Sequence, residues 1–100
     1  MPTTNTFIVL SRAGARRDLA KGSREQLYWD EHAAHIDALV DDGTILLGGP
    51  LVDEGGAMLV VRAGDEADVW AKIEPDPWYA HGILALERIA RWDIFIDRRE

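Results

Sequence analysis

The sequence predicts an α+β sandwich. Apolar strand-like runs and amphipathic stretches follow one another in the order strand, helix, strand, strand, helix, strand, turn residues close each element, and no repeat or linker divides the 100 residues. The expected product is a single domain over 1–100, with an antiparallel sheet and two helices on one of its faces. With 47% of its residues hydrophobic, the chain carries enough apolar surface for a core of its own.

Phe7-Ile8-Val9-Leu10, flanked by Thr6 and Ser11, is an apolar run rich in strand formers and reads as the first strand. Ala13 to Gly22 reads as loop. Ser23 and Gln26 have the spacing of a capping box, which predicts a helix beginning there and running to Asp42. Tyr28, His32, His35, Ile36 and Leu39 then fall on one helical face, and Gly43 supplies the stop. Thr44-Ile45-Leu46-Leu47 predicts a second strand running into Gly48-Gly49-Pro50, where the glycines let the backbone bend and Pro50 ends ladder pairing. Asp53-Glu54-Gly55-Gly56 is turn chemistry joining it in a hairpin to Met58-Leu59-Val60-Val61. Asp65 caps a second helix with Ala67, Trp70 and Ile73 at three-residue spacing, Val69 adjacent and Pro75 closing it. The last strand lies within Leu84 to Ile96.

These strands are almost wholly apolar, yet two helices cover only one sheet face. The other face therefore calls for a second copy of the chain, a homodimer packed sheet to sheet. The formal charge of −7 and a pI near 4.8 oppose binding to a polyphosphate backbone, so no nucleic-acid partner is expected. Five of the eleven Lys and Arg residues nevertheless fall between Arg12 and Arg24, namely Arg12, Arg16, Arg17, Lys21 and Arg24. That stretch either attracts a small anion or is a solvated loop carrying scattered charge. The absence of cysteine excludes disulfides and thiolate chemistry. No apolar run is long enough to span a bilayer, and Met1 to Asn5 is polar and lacks a signal core, so a cytoplasmic protein without membrane contact is expected.

One ordered set of residues runs through most of the chain: His32 on the first helix, Gly49-Pro50 seventeen and eighteen residues later, then Asp76-Pro77-Trp78 and Gly82. In these features the chain resembles the YCII-related family. The resemblance implies a dimeric, ferredoxin-like βαββαβ domain with a cleft in each subunit and a His-Asp pair at its proposed active site, here His32 and Asp76. The best-supported chemistry among relatives is lyase-like removal of chloride from a chlorinated hydroxylated aromatic. Many relatives carry an arginine three residues ahead of the histidine, where this chain has Trp29-Asp30-Glu31.

The residues support that reading independently in part. Imidazole, with an ordinary pKa of about 6.5, is suited to proton transfer near neutral pH, although a lone histidine on an apolar face is also well explained as a core residue bonded to a carbonyl. Asp76 before Pro77 is a standard helix cap, and its remaining carboxylate oxygen is free to orient an imidazole. Gly48, Gly49 and Pro50 leave bare backbone for a ligand or simply satisfy the bend. Tyr79 and Trp78 can wall an aromatic cleft, with Trp78 better suited to plugging the core. His35, one turn beyond His32, reads as packing or rim. A metal on His32 and His35, completed by His81 or Asp76, is the main rival, but the spacing matches no recognised zinc pattern. The reading is a small enzyme using no metal or other cofactor, with His32 and Asp76 catalytic and Gly48, Gly49, Pro50 and Tyr79 holding a small-molecule substrate. The alternative is a non-catalytic dimeric binding module.

Overall fold

A computed structural model describes residues 4–99; of the polar N-terminal stretch read above, residues 1–3 lie outside the described residues. Four strands form one sheet: β1 (Asn5–Ala13), β2 (Ile45–Pro50), β3 (Ala57–Ala63) and β4 (Leu84–Arg91). Three helices connect them: α1 (Trp29–Asp41), α2 (Glu66–Ile73) and the single turn α3 (Pro77–Ala80). The strand order is β2-β3-β1-β4 with every neighbouring pair antiparallel. β3 thus lies between β1 and β2, and β1 between β3 and β4, so each helical crossover spans one intervening strand. This is the ferredoxin-like topology.

Alternation along the strands sets the layers. Phe7 pairs with Val61, Val9 with Leu59 and Ile89, and Ser11 with Ala57 and Leu86, and these residues share the helix side. Phe7, Val9, Ile45 and Val61 form the core there with Leu39 of α1 and with Val69 and Ile73 of α2. Ile36 and Trp70 pack at its margin. On α2 the buried stripe is thus Val69 and Ile73; Ala67, expected to share it, is exposed. Asp65 does cap α2, accepting the Asp68 amide at 2.8 Å.

The first helix starts later than its capping signal implies. Ser23–Glu25 is only a 3-10 turn, and α1 begins at Trp29 behind Tyr28, whose φ of 64° is left-handed. Longer-range bonds take over both capping residues. Ser23 Oγ accepts from Arg17 Nη2 at 3.2 Å. The buried Gln26 amide donates to the carbonyls of Asp18, Lys21 and Gly22 and accepts the Asp18 amide at 3.0 Å. A side chain that satisfies a loop from inside cannot also cap a helix. The Tyr28 ring stacks on His81 at 3.9 Å, which holds the uncommon backbone conformation. Gly43, at φ 83°, ends the helix as expected.

The second strand also differs from the expected Thr44–Leu47. It is irregular between Ile45 and Leu47, then stays paired with β3 through Gly48, Gly49 and Pro50. A Cβ on Gly48 would come within 2.4 Å of the Leu59 side chain and 3.0 Å of the Met58 carbonyl, so glycine is what lets this edge strand approach β3.

Candidate active site

α1 and the turn ahead of α3 converge above the helix-side edge of the sheet. Asp76 sits at the N-cap of α3 with Pro77 at the first helical position, and its Oδ1 accepts the Trp78 amide at 2.9 Å. The same carboxylate presents Oδ2 to α1. There His32 Nδ1 donates to it at 2.6 Å across 44 residues of chain. Asp76 is only 1% exposed and the His32 side chain 14%. A buried carboxylate with both oxygens engaged is tolerated without further partners, and its bond to Nδ1 leaves Nε2 as the ring atom with a free lone pair.

The imidazole is fixed in a second way. It lies flat on the Trp78 indole, 3.6 Å between centroids and 6° between planes, with Trp29 tilted against both rings. Trp78 is 3% exposed and packs with Ile83 and Leu84, while its Nε1 donates to the Leu27 carbonyl at 2.8 Å. It is thus both core plug and floor for the histidine.

A cavity of about 390 Å³ opens beside this pair. His32, Asp76, Trp78 and Tyr79 line it from the helices, Ser11 from β1, and Gly48, Gly49 and Pro50 from β2. All the residues read from the sequence as catalytic or substrate-binding therefore face one volume. A Cβ on Gly49 would meet nothing within 4 Å, so its backbone is openly approachable, unlike that of Gly48. Tyr79 Oη and Ser11 Oγ share a hydrogen bond of 2.7 Å. Burial pushes the Tyr79 hydroxyl up from its ordinary range; the Ser11 bond opposes this and the Asp76 charge adds to it. The phenol is therefore neutral and available as a donor at pH 7.

Ser11, by sequence only the flank of the first strand, also lines the cavity. Its signal was parity: it shares the core-facing register of Phe7 and Val9, and a polar residue there needs a polar partner. The other histidines point elsewhere. His35 Nε2 donates to the Lys72 carbonyl at 2.9 Å, tying α1 to α2, and His81 stacks on Tyr28. Among the described residues no group of three His, Cys, Asp or Glu side chains is placed to hold a metal ion. No helix among them is long and apolar enough to cross a membrane.

The chain matches no protein-family model and no curated protein. Among solved structures it is similar to 5-chloro-2-hydroxyhydroquinone dehydrochlorinase (TftG) from Burkholderia phenoliruptrix AC1100, in complex with 2,5-dihydroxybenzoquinone. The TM-score is 0.58 at 24% identity, over 87% of this chain and 93% of that one. The likeness establishes the fold.

Proposed function

We propose that this protein is a small cofactor-independent enzyme in which His32 is the general base and Asp76 orients it. The substrate is a small planar molecule, aromatic or anionic, and the reaction is lyase- or hydrolase-like. The observation that carries this reading is the 2.6 Å His32–Asp76 bond in the wall of the 390 Å³ cavity. The resemblance of the sequence to the YCII-related family supports it, as does the ferredoxin-like neighbour, a dehydrochlorinase bound to a dihydroxybenzoquinone.

In a dehydrohalogenation the residues have definite roles. The ring first tautomerises, a hydroxyl proton passing to the halogen-bearing carbon. Nε2 then takes the proton of another ring hydroxyl, the released pair moves through the ring, and the carbon–halogen bond breaks with its pair leaving on halide, so that hydrogen halide is lost and a quinone remains. The Asp76 carboxylate faces the imidazolium formed in that step. The bonded Tyr79–Ser11 hydroxyl pair keeps one hydrogen for its own bond and has one left to donate to a second ring oxygen. The test is halide release from 5-chloro-2-hydroxyhydroquinone and other halogenated hydroquinones, measured by ion chromatography. Wild-type protein is expected to release halide in proportion to enzyme. Binding of these compounds without release of halide, or of any other product by mass spectrometry, would favour the non-catalytic binding module.

We further propose that two copies pack through the sheet face opposite the helices. Ile8, Leu10 and Met58 lie on that face partly exposed, around a Val60 already buried within one chain, and Leu47 beside Val60 is 41% exposed. Beyond β4, Phe95 and Ile96 are 91% and 86% exposed and add apolar surface that a partner would cover. Sedimentation equilibrium at micromolar concentration is expected to give twice the 11.2 kDa of one chain. A stable monomer there would overturn the sheet-to-sheet pairing.

A further inference from the structure

The basic stretch before α1 contains one side chain that behaves unlike its neighbours. Arg16 is exposed, whereas Arg17 turns inward and lines the cavity that holds His32, Asp76 and Trp78. Its guanidinium carbon lies 5.7 Å from the Trp78 ring centroid, over the same indole on which His32 stacks. It also lines a second depression of about 430 Å³, bounded by the β2–β3 hairpin, and so stands at the junction of the two.

Its bonding is incomplete. Nη2 donates to Ser23 Oγ at 3.2 Å, but Nε is buried and has no hydrogen-bond partner among the described residues. No carboxylate among them lies within ion-pair distance of Arg17, although the chain carries a net charge of −7. Partial burial lowers the guanidinium below its ordinary pKa. A half-buried guanidinium with no counter-ion and one buried, unpaired N–H costs free energy, and its planar fork of donors matches a carboxylate or ring oxyanion.

We propose that Arg17 is the anion-recognising residue of the cleft, so that the preferred ligand is a planar ring bearing a carboxylate or other oxyanion. The ring lies near His32 and Trp78 and the anionic group lies toward Arg17, at the junction with the second depression. This rests on the cleft assigned above as the substrate site and names the class of molecule it takes. Arg17 is a specificity residue here; proton transfer stays with His32.

The experiment compares two probes of one shape, benzoate and benzyl alcohol, by following His32 imidazole resonances in NMR titrations of wild type, Arg17→Gln, Arg17→Lys and Arg16→Gln. Wild type is expected to bind benzoate more tightly than benzyl alcohol. Arg17→Gln should weaken benzoate roughly 10- to 100-fold, the range for a charge-assisted hydrogen bond, and leave benzyl alcohol unchanged. Arg17→Lys should recover part of the loss, and Arg16→Gln should behave as wild type. Unchanged benzoate affinity in Arg17→Gln overturns the proposal and spares the cleft. Equal losses for both probes in Arg17→Gln overturn it too, since a charge-recognising group discriminates between them. If neither probe shifts His32 in wild type, the cleft and the Arg17 assignment fail together. None of these readouts needs turnover, so a failure of the catalytic reading is registered separately.

Discussion

Replacing His32 by Asn is expected to lower turnover about 10²- to 10⁴-fold, the usual worth of a positioned general base, while leaving the fold nearly intact. The asparagine amide can still donate to Asp76 Oδ2, so the buried carboxylate keeps a partner where wild type has Nδ1 at 2.6 Å. What is lost is the second ring nitrogen. Asp76→Asn separates orientation from basicity. Its side-chain oxygen can still accept the Trp78 amide that Asp76 Oδ1 accepts at 2.9 Å, so α3 keeps its cap. The new amide, however, presents N–H to Nδ1 and favours the tautomer protonated on Nε2, removing the base without removing the ring. Nitrogen NMR of the imidazole should show the proton on Nδ1 in wild type and on Nε2 in Asp76→Asn, a readout independent of any substrate. An activity in His32→Asn within about threefold of wild type would exclude the catalytic role, since that is far below what general-base catalysis contributes.

Legibility of the sequence varied with how local the deciding physics was. The order of the elements along the chain, the Asp65 cap and the Gly43 stop follow from patterns within a few residues, and the structure reproduces them. Ser23 and Gln26 misled because their spacing is a genuine capping signal. Arg17 and the loop carbonyls of Asp18, Lys21 and Gly22 compete for the same side chains and win. The second strand appeared to end at Leu47 because two glycines and a proline resemble a bend. In the fold they pair with Leu59, Met58 and Ala57, and close approach to β3 decides their identity. At the candidate site, residues with strong intrinsic chemistry were legible: His32 for its titration range, Asp76 for its cap before Pro77. Arg17 and Ser11 were not. Arg17 was one of five basic residues spread between Arg12 and Arg24, and it packs against the hairpin at Gly55, where an added Cβ would lie 3.4 Å from Arg17 Nε. Nothing within the stretch distinguishes it from Arg16.

Trp78→Ala is expected to cost about 3–5 kcal/mol of unfolding free energy, the range for a buried large aromatic reduced to a methyl. That is a large share of the roughly 5–15 kcal/mol available to a small domain. Three separate losses add up. The indole is 3% exposed against Ile83 and Leu84, so its removal opens a void under α3. The Leu27 carbonyl loses the Nε1 donor at 2.8 Å just before the left-handed Tyr28, which loosens the entry to α1. The His32 ring loses the surface on which it stacks at 3.6 Å, so Asp76 and the tilted Trp29 are left to hold the base. Trp78→Phe separates these effects. It retains an aromatic face for the imidazole and much of the buried area but cannot donate to the part-buried Leu27 carbonyl, and its expected cost is about 1 kcal/mol, that of one ordinary hydrogen bond. Urea unfolding followed by far-ultraviolet circular dichroism measures both variants, and the denaturant slope should stay constant if only stability changes. On the proposed function, Trp78→Phe should keep most of its turnover while Trp78→Ala loses rate under conditions where it is still folded, because a ring held at one edge no longer presents Nε2 at a fixed angle. A Trp78→Ala cost below about 1 kcal/mol would show that the void is filled by collapse, and Trp78 would then be a wall of the cleft without being the plug of the core.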